Sequence, residues 1–175
     1  CEVVGGKFMF KHKTASDTDL LWAHTKGVAV WTEVPVELAF EHVMHSLVFN
    51  FSTNSDEIAL DQIKTECTAK STCEVDLANG AIDNSSSRKA TFSQTGAKAV
   101  FRIVPQRSSD VAIKISAGES EKTFNLSDVV SEHDNLEGGK ILTVNLTVKD
   151  GKITVDGSSI VGWGDQGSVD DEIIL

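Results

Sequence analysis

The stretch that decides the fold is LEGGKILTVNLTVKDGKITVDGSSIVGW, residues 136–163. From Leu142 to Lys149, leucine and valine alternate with threonine, asparagine and lysine. This period of two is expected of a strand that has one face on a core. Asp150-Gly151 then separates the run from Ile153-Thr154-Val155, and Asp-Gly favours a tight hairpin turn because glycine tolerates positive φ. The stretch therefore predicts two strands folded back on each other.

Composition and charge limit the class of protein. The chain has 175 residues, enough for one domain or two small ones, and a formal net charge of −10 at pH 7. This excess of negative charge argues against nucleic acid or an anionic membrane surface as a partner. No stretch approaches the roughly 18 apolar residues of a membrane-spanning helix. Because Val, Ile, Thr and Ser are common, the composition favours a β-rich domain.

Short apolar runs separated by turn residues recur along the rest of the chain and predict about eight to ten strands. Residues 11–19 and 83–90 are polar and predict loops, and Ser127–Val130 predicts one helical turn. No segment has the length and 3.6-residue period of a substantial helix. The predicted fold class is therefore all-β, an antiparallel β-sandwich with at most short helical turns. The apolar runs lie at residues 3–10, 20–23, 28–31, 58–63, 74–77, 99–104, 111–115 and 124–126.

The apolar positions change phase within residues 34–51, VPVELAFEHVMHSLVFNF. Val36, Leu38 and Phe40 share one parity, whereas Leu47, Phe49 and Phe51 share the other. One strand cannot keep both sets on the same face without an interruption. We expect a bulge or one helical turn between His42 and Ser46. A single amphipathic helix is the alternative, but Pro35 and the aromatic and β-branched residues disfavour it.

The sequence contains three cysteines, Cys1, Cys67 and Cys73. Cys67 and Cys73 bracket a short polar segment, and the spacing allows either a disulfide in an oxidising compartment or two free thiols on unrelated faces. Cys1 occupies the position that carries the lipid in a processed lipoprotein. Because apolar residues follow Cys1 almost at once, a cleavage boundary is favoured over a lipidated residue.

No pattern of residues predicts catalysis. His42 and His45 form an HxxH pair that is compatible with a metal site, but a buried or half-buried structural histidine beside an exposed one explains it more simply. Trp22, Trp31 and Trp163 suit a sugar-stacking platform, although core packing is the usual role of tryptophan. The sequence has no Gly-x-Ser-x-Gly nucleophile motif and no phosphate-binding loop. We therefore expect a protein that is not an enzyme and that uses no metal or cofactor.

Three blocks, taken in order, resemble the fimbrillin-like family, the subunits of type V pili of Bacteroides-type bacteria. DLLWA at 19–23 leads into FEHVMHSL at 40–47, and IVPQ at 103–106 precedes an alternating strand. The third block is the predicted hairpin, whose LEGGKILTVNLTV and GKITVDGSSIVGW are similar to the family's carboxy-terminal pattern. Each block alone is weakly specific, whereas their order and spacing over residues 19–163 are fairly specific.

The resemblance implies a transthyretin-like, Greek-key β-sandwich and an extracytoplasmic place on the cell surface. It implies a fimbrillin-like domain over residues 31–175, preceded by strands in residues 1–30 that are a remnant of another domain. Such subunits assemble by strand exchange, so the partners are other pilus subunits or a host or bacterial surface ligand. A lipid anchor is the only implied link to the outer membrane. The alternative is a surface module that binds carbohydrate or protein and does not polymerise.

A donor strand is the segment that one subunit inserts into its neighbour in such an assembly. In this chain the donor candidate implied by the resemblance is the carboxy-terminal tail, DQGSVDDEIIL. Its apolar residues are Val169, Ile173, Ile174 and Leu175.

Overall fold

The computed structural model describes residues 2–4, 7–14, 19–27, 35–55, 58–130, 134–149 and 152–162. These residues form sixteen strands and three 3₁₀ helices, the latter at Leu60–Gln62, Ser108–Asp110 and Leu126–Asp128. The strands are β1 (Glu2–Val4), β2 (Lys7–Lys13), β3 (Leu21–Trp22), β4 (Glu41–His42), β5 (His45–Ser52), β6 (Lys64–Lys70), β7 (Thr72–Asp76), β8 (Ile82–Asp83), β9 (Lys89–Thr95), β10 (Lys98–Ile103), β11 (Gln106–Arg107), β12 (Ala112–Ala117), β13 (Ser120–Asn125), β14 (Asn135–Leu136), β15 (Lys140–Lys149) and β16 (Lys152–Gly162).

Two four-stranded sheets face each other across the main core. Sheet I has the strand order β10-β5-β15-β16, and sheet II has the order β13-β12-β6-β9. Apolar side chains from both sheets form one buried cluster, as expected of a sandwich. The all-β sandwich predicted from the sequence is confirmed, with one parallel pair, β5 and β15, inside the otherwise antiparallel sheet I.

The hairpin of β15 and β16 is confirmed as the longest strand pair of sheet I. Leu142, Val144, Leu146 and Val148 are buried in the main core, as their alternation predicts. The register shifts at Asn145/Leu146, so that Asp156 is an extra residue in β16. Lys149 pairs with Lys152 across the connection, whose two residues, 150–151, lie outside the described part of the chain.

The outer face of sheet I carries a layer of hydrogen-bonded polar side chains. Asn50 Nδ2 donates to Asn145 Oδ1 at 3.0 Å, across the parallel pair of β5 and β15. The Ser52 and Thr147 hydroxyls lie 2.8 Å apart, and Thr147 Oγ1 donates to Asp156 Oδ2 at 2.6 Å. The end of this face that holds these side chains is therefore polar, whereas Val48 and Ile141 at its other end are buried.

A third sheet, sheet III, has the order β1-β2-β7-β8 and its own small apolar cluster. Residues 3–10 were expected to form one bent strand, but they contribute to two strands that pair antiparallel, β1 and β2. Residues 11–13, expected to belong to a loop, continue β2, which pairs with β7. Residues of the amino-terminal segment thus share a sheet with Thr72–Asp76, and the domain division at residue 30 stays a prediction.

The phase change in residues 34–51 falls where it was predicted, but its cause is different. The chain leaves β4 at His42, bends at Met44 and begins β5 at His45. β4 pairs with β3 in a two-stranded ribbon, whereas β5 lies in sheet I. The interruption is therefore a change of sheet between two strands, and the expected bulge or helical turn is wrong.

Gly138 and Gly139 hold this bend by close backbone approach. The Gly139 N–H donates to Met44 O at 3.0 Å, and Gly139 has a φ of +68°. A Cβ added at Gly138 would lie 2.4 Å from Val43 O, which no side chain tolerates without movement of the backbone. The two glycines that precede β15 are thus required at the junction between β4 and β5.

The remaining strand predictions are confirmed in part. Residues 58–63 were expected to form a strand but contain a 3₁₀ helix. The Ile63 N–H donates to Leu60 O, three residues earlier, as in a 3₁₀ turn. The predicted strand at 124–126 is likewise divided. Phe124 lies in β13, whereas Leu126 begins a 3₁₀ helix. Four other predicted runs lie at least partly in strands, at 20–23, 74–77, 99–104 and 111–115, and residues 28–31 fall outside the described part.

Candidate functional site

β10 is an edge strand of sheet I, and side chains from the same chain cover its outer side. Gln94 Nε2 donates to Val100 O at 2.6 Å, and the Val100 N–H donates to Gln94 Oε1 at 2.7 Å. Thr14 Oγ1 donates to Arg102 O at 2.9 Å. The amide of Gln94 therefore pairs with Val100 as a neighbouring strand would, which blunts this edge against pairing with another chain.

β16 forms the opposite edge of sheet I, and the parts of this strand before and after the bulge have different surroundings. Before the bulge, the Ile153 carbonyl accepts a hydrogen bond from Lys122 Nζ of β13 at 2.8 Å. After the bulge, residues 157–162 pair only with β15 among the residues that the structure describes. The Val161 side chain is 42% exposed, and Ser158 and Ser159 are exposed as well. The second half of β16 is therefore an edge at which another strand can add.

A second exposed feature lies beside the ribbon of β3 and β4. Residues 35–40 lie outside every described strand and are exposed throughout. On β3, Leu21 lies opposite His42 in the ribbon register. Large apolar side chains here are about half exposed, and we call them the apolar stripe: Leu21 (50%), Val36 (45%), Leu38 (50%) and Phe40 (62%).

The HxxH histidines are not brought together around a common site. His42 Nδ1 lies 2.6 Å from Asp19 Oδ2, so this ring is paired with a carboxylate on the preceding segment. His45 Nδ1 lies 2.7 Å from Glu137 O, and the His45 side chain is fully buried. Burial lowers the pKa of His45 to about 4, because the charged ring would lose its hydration. The two rings therefore have separate structural partners.

The structure does not contain the candidate disulfide between Cys67 and Cys73. Both are free thiols, and they lie on β6 of sheet II and β7 of sheet III, in two different apolar clusters. Their strands diverge after Lys70 into separate sheets, so the short spacing in sequence does not bring the sulfurs into one loop. Burial raises the pKa of Cys67 to about 12 and that of Cys73 to about 11. Both thiols thus act as small apolar core groups.

Trp22 packs against its own chain. Its indole Nε1 donates to Leu77 O at 3.1 Å, and its ring lies over Gly80, where an added Cβ would be 3.1 Å away. Gly80 has a φ of +73°, as expected of the Asn79-Gly80 turn that closes β7. Trp22 therefore joins the ribbon to sheet III. The other two tryptophans of the predicted platform, Trp31 and Trp163, lie outside the described residues.

The predicted donor residues also fall outside the described part of the chain: Val169, Ile173, Ile174 and Leu175. Within that part, no three His, Cys, Asp or Glu side chains are grouped so as to hold a metal ion. Among the same residues, no helix has the length and apolar character needed to cross a bilayer.

Two features of these edges were missed in the sequence. Gln94 lies in the polar run SQTG, which carries no signal that its side chain would pair with a strand edge. The exposure of Val36, Leu38 and Phe40 was missed as well, although their shared parity was recognised. The change of phase within residues 34–51 could have indicated this exposure, because two sets of apolar residues with opposite parity need not face the same core.

Comparison with known proteins agrees with this architecture. The sequence matches the fimbrillin-like family over residues 6–163, whereas no curated protein matches it. A candidate cell adhesion protein from Bacteroides uniformis has a similar fold, with a TM-score of 0.73 and 13% identity over 93% of this chain and 69% of that chain. Another from Bacteroides ovatus has a TM-score of 0.65 and 16% identity, over 89% of this chain and 60% of that one. The family match covers most of the sequence, and this chain belongs to the fimbrillin-like family.

Proposed function

We propose that this protein is an adhesive, structural subunit of a bacterial surface fimbria, and that it works by binding and not by turnover. Membership of the fimbrillin-like family supports this role, as does the likeness of fold to two candidate cell adhesion proteins of Bacteroides. Its partners are other pilus subunits or a ligand on a host or bacterial surface. Contact with the outer membrane, where it occurs, runs only through a lipid anchor.

The proposed mode of assembly is strand exchange between sandwich domains. An extended segment from one subunit adds beside an edge strand of the next, so that main-chain hydrogen bonds supply affinity and alternate side chains supply specificity. The observation that carries this proposal is the difference between the two edges of sheet I. β10 is covered by Gln94 and Thr14, whereas residues 157–162 of β16 have no strand on their outer side among the described residues.

The proposed donor is the carboxy-terminal tail, and the proposed acceptor is the second half of β16. Ile160 packs against the main core but is only partly buried, and Ser158 on the same strand is exposed, so this rim of the core is incompletely covered. Apolar residues of a donor strand would cover this rim, and the tail carries such residues at positions 169 and 173–175. We further propose that residues 1–30 and 31–175 are of separate origin, as the resemblance implies.

Deletion of residues 168–175 tests the donor assignment. We expect weaker self-association by sedimentation velocity, with no change in the urea midpoint of the monomer. Val161→Lys tests the acceptor, because a lysine on an exposed edge strand opposes the addition of another strand. Leu77→Lys, at an exposed apolar side chain away from β16, is the matched control. Unchanged association after the deletion would contradict the tail as donor, and unchanged association in Val161→Lys would contradict β16 as acceptor.

A further inference from the structure

The outer face of sheet II ends in a pair of lysines that share one carboxylate. Lys70 of β6 lies directly opposite Lys89 of β9, at the last position of their ladder. Lys70 Nζ is 3.8 Å from Asp110 Oδ2, and Lys89 Nζ is 3.6 Å from Asp110 Oδ1. Like charges at opposed positions of a strand pair are destabilising. This end of sheet II therefore carries two positive charges against one negative charge.

Other lysines on the same face each have a carboxylate of their own. Lys64 Nζ lies 2.7 Å from Glu66 Oε1, and Lys114 Nζ lies 2.9 Å from Glu121 Oε2. Both distances are shorter than those from the lysine pair to Asp110. The surplus of positive charge is therefore local to one end of the face, in a chain whose net charge is −10.

A polar cleft of about 390 Å³ adjoins the lysine pair, where the end of β6 meets the ribbon of β11 and β14. The buried side chain of Gln106 holds this junction, since its Oε1 accepts from the Lys70 N–H at 2.9 Å and its Nε2 donates to Val104 O at 2.8 Å. Asn84 Nδ2 donates to Pro105 O, and Asn84 Oδ1 accepts from Lys70 Nζ at 3.3 Å. Hydrogen bonds within the chain thus preform the cleft.

Three exposed side chains that line the cleft, those of Arg107, Asn135 and Glu137, form no hydrogen bond or ion pair within the part of the chain that the structure describes. Arg107 and Asn135 lie opposite one another in the ribbon, so they share a face. A guanidinium matches the two oxygens of a carboxylate or a sulfate with parallel N–H groups. An amide and a carboxylate bind hydroxyl groups as donor and acceptor. The cleft therefore combines cations for an oxyanion with groups suited to hydroxyls.

We propose that this cleft binds an acidic sugar, a saccharide residue that carries a carboxylate or a sulfate, within a glycan of a host or bacterial surface. The proposal rests on the adhesive function proposed above and names its ligand class. Lys70 and Arg107 hold the anionic group, and Asn135 and Glu137 bind the ring hydroxyls. Lys89 neutralises Asp110, which leaves the charge of Lys70 to the ligand.

The overall acidity of the chain limits the size of this ligand. Exposed charges more than about 8 Å apart are largely screened at physiological salt, so a single acidic sugar responds to the charges of the cleft. A long polyanion would extend over the rest of the surface, which belongs to a chain of net charge −10. The ligand is therefore one acidic residue among neutral ones.

A glycan array tests the ligand class. The purified protein is applied to immobilised glycans that end in a uronate, a sialate, a sulfated sugar or a neutral sugar, and to a poly-glutamate peptide. Acidic glycans should retain it at least about tenfold better than neutral ones, and the carboxylate and sulfate arms show which oxyanion is preferred. Retention by no glycan, equal retention by neutral and acidic glycans, or stronger retention by the peptide would overturn the proposal.

Substitutions then place the acidic glycan in the cleft. Arg107→Gln and Lys70→Gln should each weaken binding at least about tenfold in titration calorimetry, because each removes a charged donor. Lys89→Gln should weaken it less, since Lys89 acts through Asp110. Lys64→Gln is the matched control on the same face and should leave binding unchanged. Unchanged binding in both Arg107→Gln and Lys70→Gln would overturn the assignment to this cleft.

The same variants separate this proposal from strand exchange. Deletion of residues 168–175 should leave glycan binding unchanged, and Arg107→Gln should leave self-association unchanged. Self-association that depends on the tail, in a protein that no acidic glycan retains, would overturn the acidic-sugar site alone. Glycan binding without self-association would contradict strand exchange and leave the site in place.

Discussion

The two halves of residues 34–51 carry the same alternation of side chains and are buried to opposite extents. The first half, residues 35–40, ends at Phe40, which is 62% exposed. The second half forms β5, in which Phe49 is fully buried. The exposed first half, PVELAF, is in fact the more apolar of the two, because β5 reads HSLVFNFS. Composition therefore does not account for the difference in burial.

Neighbouring strands account for it. β5 lies between β10 and β15 in sheet I, and sheet II covers its inner face. Residues 35–40 have no such neighbours among the described residues. An alternating pattern thus predicts a chain that is suited to be a strand, while the strands beside it decide whether its apolar face is buried. The first half therefore keeps its apolar side chains exposed.

The largest expected effect comes from removing a core side chain that covers the second half. Phe101 of β10 is fully buried, and its ring meets that of Phe49 edge to face at 6.2 Å. Phe101→Ala should lower the free energy of unfolding by about 3–5 kcal/mol, because the cavity cannot fully collapse. Urea unfolding followed by tryptophan fluorescence measures this, and a loss below about 1 kcal/mol would contradict the burial described for sheet I.

His45, which follows the bend between the two halves, should make the free energy of unfolding depend on pH. The pKa of His45 falls from 6.5 in the unfolded chain to about 4 in the folded protein, because the ring is buried. The unfolded chain therefore binds more protons between these values, and stability falls as pH drops from 6.5 to 4. The shift corresponds to about 3 kcal/mol.

A variant without the ring isolates this effect from other titrating groups. His45→Gln keeps a polar side chain near Glu137 O but has no proton to gain in this range. We expect the difference in unfolding free energy between the two proteins to change by about 3 kcal/mol between pH 7 and pH 4. Parallel stability curves for the two proteins would show that the ring of His45 is not buried in the neutral form.

A smaller loss of stability is expected from substitution of Gly138, which lies against the bend between the two halves. Gly138→Ala would place a Cβ 2.4 Å from Val43 O, so the junction between β4 and β5 has to move, at a cost of about 1–3 kcal/mol. Gly157→Ala is the matched control, because a Cβ at that position meets nothing within 4 Å. Equal urea midpoints for the two variants would contradict the close approach at Gly138.

The smallest expected effect on stability concerns the covered edge of β10. Gln94→Ala removes both hydrogen bonds to Val100, which should lower the free energy of unfolding by about 1–2 kcal/mol. It should also increase self-association, because it opens an edge that is otherwise occupied. Gln94→Glu retains the acceptor for the Val100 N–H and should lie between the wild type and Gln94→Ala. Unchanged association in Gln94→Ala would contradict the view that Gln94 blunts this edge.

The sequence predicted those elements whose buried face is made of large apolar residues. The alternation of Leu142 to Val148 and the apolar run at 99–104 gave the correct strands. β6 was missed because its buried face consists of Thr65, Cys67 and Ala69, small residues that give little hydrophobic contrast. The disulfide was undecided for a different reason, since the sequence spacing of two cysteines does not tell which sheets their strands enter.

The edges were less predictable than the core. Burial follows from side-chain type and period, but the state of an edge depends on which distant residue reaches it, as Gln94 and Thr14 reach β10. The phase change near His42 was correctly located because parity is a local property. Its cause was not, because a change of sheet and a bulge have the same effect on parity.

One pair of substitutions tests most directly that neighbouring strands, and not composition, set the burial of the two halves of residues 34–51. Phe49→Ala and Phe40→Ala remove the same atoms from either half, and urea unfolding is measured for both. Phe49→Ala should lower the free energy of unfolding by about 3–5 kcal/mol, whereas Phe40→Ala should change it by less than about 0.5 kcal/mol. Comparable destabilisation by the two substitutions would contradict the account.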